Sequence, residues 1–288
     1  MKLLKIDYNA NNAPTQFAES LHEIGFAVLS HPPISQSLIQ ETYAEWENFF
    51  NSEQKHCYTF DPKIQAGYFP FQSEQAKGYD QPDLKEFFHL YGWSELPPEM
   101  SDRSWQLFDD LVKLAQELLS WVEEAFSEMQ RQFTMPLSQM IQGSRETLLR
   151  PIHYPPLIQT ESVGAIRAAA HEDINLITLL PAATAVGLEI QDNQANWYEV
   201  PSDRGELVVN VGDMLQMASQ GYYRSTTHRV INPSSRDART SRFSMPLFLH
   251  PRPEVVLAGT TTARSYLQER LREIGLLEKE SSLHSDLS

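Results

Sequence analysis

Apolar residues recur every third or fourth position in much of the first half of the chain and at strand-like spacing in much of the second. Phe17, Leu21 and Ile24 form one stripe behind Pro14-Thr15, and Gly25 ends it, which predicts a short amphipathic helix. Phe26-Ala27-Val28-Leu29 predicts a strand closed by His31-Pro32-Pro33. Leu38, Ile39, Tyr43, Trp46 and Phe49-Phe50 predict a second helix, with Ser35 or Ser37 as its cap. Residues 51–100, rich in glycine, proline, glutamine and aromatics, read as loops with short strands. The longest helix is predicted from Ser101, on a stripe of Trp105, Phe108, Val112, Ala115, Leu119, Val122, Phe126 and Met129.

From about Leu148 the pattern is that of strands. The segments 148–152, 175–180, 187–191, 197–200, 206–211, 226–231 and 242–249 are short and separated by turn residues such as Asp192-Asn193 and Gly212-Asp213. Evenly spaced short strands imply a sandwich or barrel. Residues 262–277 predict a closing helix through Tyr266, Leu267, Leu271 and Ile274, and the polar tail from Glu278 predicts fraying. No linker or repeat interrupts the chain. One domain over 1–288 is expected, with helical layers over 1–147, a β core over 148–250, and a closing helix and tail over 251–288.

Hydrophobic residues make up 41% of the chain, enough for a substantial core, and the net charge of -15 repels phosphate backbones, so nucleic acid is a poor partner. Cys57 is the only cysteine, which excludes an intramolecular disulfide. The sequence shows neither a secretory leader nor an apolar run long enough for a membrane span, so a cytoplasmic protein is expected.

The candidate chemistry lies in His171-Glu172-Asp173 and His228. Residues two apart on a strand share a face, so His171 and Asp173 are expected to reach one ion while Glu172 turns away. His228 lies in the run Thr226-Thr227-His228-Arg229-Val230, which reads as another strand. Two imidazoles and one carboxylate form the facial ligand set that holds non-haem Fe(II). Arg242 and Ser244 are also two apart. A guanidinium and a hydroxyl on one face suit the far carboxylate of 2-oxoglutarate. Residues 232–240 are expected to fold this strand back antiparallel beside that of His228. The other histidines receive no ligand role.

Further segments fall in the same order: Leu149-Arg150-Pro151-Ile152-His153-Tyr154-Pro155-Pro156, then His171 to Leu180, Gly187-Leu188-Glu189-Ile190, Trp197, Val209-Asn210-Val211-Gly212-Asp213 and Thr227-His228-Arg229-Val230. Gly25-Phe26 and Asp83-Leu84-Lys85-Glu86 add counterparts upstream. In this order the chain resembles the isopenicillin N synthase-like family of Fe(II)/2-oxoglutarate oxygenases. The resemblance implies a mainly β fold, a double-stranded β-helix (jelly-roll, cupin-like) core with flanking helices. It implies Fe(II) on His171, Asp173 and His228, and 2-oxoglutarate on Arg242, Ser244 and Tyr154. It also implies a dioxygenase that uses O2 to hydroxylate or desaturate a small molecule, releasing succinate and CO2. His153, Arg150-Pro151 and Glu172 depart from the usual pattern.

Other readings stay open on the residues alone. Arg-x-Ser also occurs in a branch of the family that works without 2-oxoglutarate. A cupin-like metal-binding protein without oxygen chemistry, or a non-catalytic binding protein, would also keep the fold. Tyr68, Phe69, Phe71, Tyr79, Arg167, Phe248 and Tyr266 are the expected substrate-pocket walls, and Arg150 and Arg167 favour a carboxylate-bearing small molecule.

Overall fold

In Phe26-Ala27-Val28-Leu29 and Leu207-Val208-Val209 every position is apolar, so these strands have to be covered on both faces. The computed structural model describes residues 3–76, 78–128, 133–157, 161, 164–201, 203–234 and 239–273. It covers those strands with helices on one side and a second sheet on the other.

The chain begins with β1 (Lys5–Asp7), α1 (Ala13–Glu23), β2 (Phe26–Ser30) and α2 (Gln36–Phe50). After a 3-10 turn come β3 (Gly67–Phe69), β4 (Glu86–Tyr91), α3 (Arg103–Glu128) and α4 (Leu137–Ile141). The second half holds β5 (Leu148–Leu149), β6 (Ile152–Tyr154), β7 (Ala168–His171), β8 (Ile177–Pro181), β9 (Leu188–Gln191), β10 (Trp197–Glu199) and β11 (Glu206–Val211). It ends with α5 (Asp213–Ala218), β12 (His228–Val230), β13 (Arg242–Ser244), β14 (Leu247–Leu249), β15 (Val256–Ala258), β16 (Thr261–Thr262) and α6 (Ala263–Glu273).

Among the described residues, ten strands form one sheet in the order β1-β2-β11-β8-β14-β5-β4-β6-β13, with β3 beside β4. Four more form a sheet in the order β10-β9-β12-β7. The two face each other as a jelly roll, the mainly β fold that the resemblance implied. Side-chain alternation decides what each face touches. Ala27, Leu29, Leu207, Val209 and Leu179 share a core with Phe17, Trp46, Leu111 and Leu118 of the helices. Val28 and Val208 point the other way and pack with Ile152 and Tyr154 against Ala168, Leu188, Ile190 and Val230 of the smaller sheet.

The register of the large sheet also builds one inner row. Phe26 stands opposite Asn210, Asn210 opposite Thr178, and Thr178 opposite Phe248. Two buried polar side chains, Asn210 and Thr178, thus lie in this row between Phe26 and Phe248.

Several expected elements are shifted. The buried stripe of α3 takes in Leu107, Leu111, Leu114 and Leu118 besides Ala115, Leu119, Val122 and Phe126, while Trp105 and Val112 are only partly buried. This helix packs on α1, α2 and β14 together, which a single narrow row does not serve. The expected strand over 242–249 is two strands, β13 and β14, parted at Pro246, which has no N–H to donate. The turn at Gly212-Asp213 opens α5, whereas β3 and β4 are the short strands expected within 51–100. Met129, the helix extension to Leu277 and the tail from Glu278 lie outside the described residues. No helix among the described residues is long and apolar enough to cross a membrane.

Gly25 joins α1 to β2 at φ +77°, and a Cβ there would lie 2.3 Å from Thr226 Oγ1 and 2.4 Å from the Arg224 carbonyl. Thr226 Oγ1 also donates to the Ile24 carbonyl at 2.6 Å, so this contact seats the segment leading into β12. Gly25→Ala is expected to destabilise the protein by about 1–3 kcal/mol, lowering the thermal midpoint by several degrees. An unchanged midpoint in a thermal melt would contradict this close approach.

Candidate active site

β7 and β12 pair antiparallel, with His228 opposite His171 and Val230 opposite Ala168. Three steps along β7 thus match two along β12, so β7 carries one extra residue, a β-bulge. The bulge changes parity. Ala168 faces the inner core, and simple alternation would turn His171, three residues on, to the outer face. The extra residue turns it inward beside His228, with the two ring centroids 4.4 Å apart. The slack lies at Ala169-Ala170, and Ala169 is anchored on both sides. Its N–H donates to Asp83 Oδ1 at 2.9 Å, and its carbonyl accepts from His171 Nδ1 at 2.8 Å. Asp83 is held by Lys85 at 2.7 Å, and Lys85 by Glu74 at 2.6 Å.

Asp173 is not on the strand as expected. β7 ends at His171, and Asp173 reaches the imidazoles from the turn that follows. Its Oδ1 lies 3.8 Å from His171 Nε2 and 3.7 Å from His228 Nε2. All three ligand atoms lie within 4.8 Å of one another. Its Oδ2 accepts from Thr178 Oγ1 at 2.6 Å and from Asn210 Nδ2 at 2.8 Å. The inner row therefore fixes the carboxylate from behind and leaves Oδ1 facing the histidines. The sequence reading gave Thr178 and Asn210 no role. Their signal was a polar residue at an inward position of an apolar strand. Glu172 stays out of the cluster and accepts from Thr227 Oγ1 at 2.9 Å.

Each imidazole is oriented through its other nitrogen. His171 Nδ1 meets the Ala169 carbonyl, and His228 Nδ1 meets the Thr226 carbonyl at 3.1 Å. A carbonyl only accepts, so both Nδ1 atoms carry a proton, and the Nε2 atoms are the ones turned to Asp173 Oδ1. Burial, then the neighbouring His228, pushes His171 down to about 4. Burial works against the charge of Asp173. The imidazoles of His228 and His171 and the hydrogen bonds from Asn210 and Thr178 outweigh it and hold the carboxyl below its ordinary value. A neutral His171 and an ionised Asp173 are the states that bind a metal ion.

β13 does not lie beside β12. It pairs with β6, placing Arg242 opposite Tyr154 and Ser244 opposite Ile152, while β12 is already flanked by β7 and β9. The hairpin expected across 232–240 is thus replaced by a crossing from one sheet to the other. Opposed side chains in an antiparallel pair share a face, so Arg242 and Ser244 still point into the interior with Tyr154. Arg242 is 2% exposed. Its guanidinium lies 5.0 Å from the Tyr154 ring centroid, and its Nε donates to the Ala185 carbonyl at 3.0 Å. Its Nη1 is buried without a partner. Leaving such a donor unpaired is unfavourable, and a ligand carboxylate is the group that fits it.

A cavity of about 630 Å³ opens onto His171 and Asp173, the size of a small-molecule site. Arg150 and Phe248 line it, together with His250, Arg264 and Leu267. Other expected walls lie elsewhere. Tyr68 and Phe69 are core residues, Phe69 being stacked between Phe60 and Phe87, whereas Phe71 and Tyr79 are exposed. Tyr266 donates to Asp213 Oδ2 at 2.6 Å, and Arg167 is buried near Tyr154.

Residues 145–251 match the model of the 2OG-Fe(II) oxygenase superfamily, and residues 6–109 that of the N-terminal region of the non-haem dioxygenase in morphine synthesis. A candidate oxygenase of Shewanella oneidensis is 48% identical in sequence, and the match covers 96% of this chain and 100% of that one with a TM-score of 0.86. A candidate 2OG-Fe(II) oxygenase family protein of Caulobacter crescentus is 30% identical, over 94% of this chain and 99% of that one, with a TM-score of 0.76. The chain belongs to the 2OG-Fe(II) oxygenase superfamily. The oxygenase is also 26% identical to a 2-oxoglutarate-Fe(II) type oxidoreductase of Aspergillus fumigatus, over 81% of this chain and 74% of the relative. It is a dioxygenase dependent on Fe(II) and 2-oxoglutarate that oxidises a small molecule. The readings as a cupin-like metal binder without oxygen chemistry, and as an oxidase without 2-oxoglutarate, fall away.

Removing the donors behind Asp173 should loosen this candidate ligand without removing it. Asn210→Leu and Thr178→Val are each expected to weaken Fe(II) binding by about 10–100-fold in an anaerobic titration. Wild-type affinity in both variants would contradict the orienting role.

Proposed function

We propose that His171, Asp173 and His228 hold Fe(II), that Arg242, Ser244 and Tyr154 hold the far carboxylate of 2-oxoglutarate, and that a carboxylate-bearing small molecule is oxidised in the adjoining cavity. One observation carries the reading: three ligand atoms converge while Arg242, in the same interior, keeps a buried nitrogen free. When bound, Fe(II), 2-oxoglutarate and O2 supply the oxidative decarboxylation that yields succinate and CO2 and oxidises a substrate C–H bond. The protein orients these partners. Asn210 and Thr178 aim Asp173, and the Ala169 and Thr226 carbonyls aim the imidazoles. One continuous core running from Ile6 to Ala263 supports a single oxygenase domain.

Arg150 supports the substrate class. Its guanidinium lies between the rings of Phe87, at 4.7 Å, and Phe248, at 5.1 Å, on the cavity wall. Its acidic neighbour Glu74 is 3.6 Å away and is itself clasped by Lys85 at 2.6 Å. A carboxylate entering from the cavity would give Arg150 a closer partner.

Succinate release with Fe(II) and 2-oxoglutarate is the assay. Asp173→Ala is expected to abolish it while remaining folded, and unchanged release would overturn the ligand assignment. Across a panel of small carboxylic acids and their amides, acids alone should stimulate succinate release. Arg150→Leu should remove that stimulation but keep the slow substrate-free turnover. Amides that work as well as acids would refute the substrate class.

A further inference from the structure

Arg167 carries a second buried guanidinium, outside both the metal cluster and the Arg242–Ser244 pair. It stands just ahead of β7 and is 1% exposed. Its backbone N–H donates to Asn232 Oδ1 at 3.0 Å, and Asn232 Nδ2 donates to the Ala165 carbonyl at 2.8 Å. The backbone around Arg167 is thus fastened to the segment that follows β12. Its Nη2 donates to the Thr240 carbonyl at 2.9 Å, two residues before Arg242. Both guanidiniums lie against one ring, Arg242 at 5.0 Å from the Tyr154 centroid and Arg167 at 5.9 Å. Arg167 Nε is buried without a partner, as is Arg242 Nη1. Among the described residues, neither guanidinium forms an ion pair with a carboxylate.

Two cations buried close together repel, and each has lost its water. Burial, then Arg242, pushes Arg167 down to about 10. An aromatic ring offsets only a small part of that penalty. A ligand anion between them would offset far more and would fill both free nitrogens. We propose that Arg167 and Arg242 grip the far carboxylate of 2-oxoglutarate together, making the cosubstrate site a two-guanidinium clamp. This rests on the proposed placement of 2-oxoglutarate at Arg242. The clamp selects a 2-oxo acid with a second carboxylate over one without.

The test is anaerobic calorimetry on the Fe(II)-loaded enzyme with two ligands. One is 2-oxoglutarate; the other is 2-oxopentanoate, which keeps the chelating end and lacks the far carboxylate. Arg167→Met is expected to lose about 10–100-fold in affinity for 2-oxoglutarate and to leave 2-oxopentanoate within about twofold of wild type. Arg167→Lys keeps the charge without the fork, so it should show a smaller loss confined to 2-oxoglutarate, and it decides the matter if the methionine variant does not fold. Equal loss for both ligands, or no loss for either, overturns the proposal. If Arg242→Met removes the preference for 2-oxoglutarate and neither Arg167 variant changes it, Arg242 alone grips the carboxylate and the two-guanidinium clamp is overturned. If wild type shows no preference, the placement at Arg242 fails as well.

Discussion

The extra residue of β7 decides which way His171 faces, and a hydrogen bond from the Ala169 N–H to Asp83 Oδ1 anchors the strand within that irregular stretch. Without the bulge, alternation would send that imidazole to the outer face of the smaller sheet. Asp83 is buried and needs a cation, which is Lys85, and Lys85 in turn is shared with Glu74. Burial disfavours the charge on Lys85, but Glu74 and Asp83 outweigh it and raise its pKa. Glu74 is likewise held below its ordinary value by Lys85 and Arg150 against its own desolvation. Such buried ion pairs add little to stability once desolvation is counted; in this fold their value lies in geometry.

The two sheets divide the work. The smaller sheet supplies both imidazoles, directly opposed on β7 and β12. The larger sheet fixes the carboxylate through Asn210 and Thr178, and it carries Arg242, Ser244 and Tyr154 on β13 and β6. Between them the interior is lined by Val28, Val208, Ile190 and Val230. In such surroundings each polar contact is stronger than in water and each missing one more costly. That is why the free nitrogens of Arg242 and Arg167 point to a ligand rather than to slack packing.

Much of this was legible in the sequence. The change from helical to strand spacing near Leu148 marks the passage from the helical layers to the strand-rich half. The cluster of His171, Asp173 and His228 was legible because two histidines and an aspartate at that spacing, followed by Arg-x-Ser, carry chemistry that packing does not require. Their positions were less so. Asp173 lies past the end of its strand and β13 joins β6, because strand partners are chosen by register and long-range burial rather than by local pattern. Asn210 and Thr178 were hidden for the same reason, since their facing follows from a parity that only the sheet reveals. The aromatics misled because Tyr68 and Phe69 serve the core as readily as a pocket.

The most direct measurement is the visible absorption of the anaerobic protein as Fe(II) and then 2-oxoglutarate are added. A weak charge-transfer band that requires both additions is the expected result, because it reports 2-oxoglutarate chelating the iron held in this interior. Stoichiometric iron binding with no band on adding 2-oxoglutarate would contradict the joined metal and cosubstrate site.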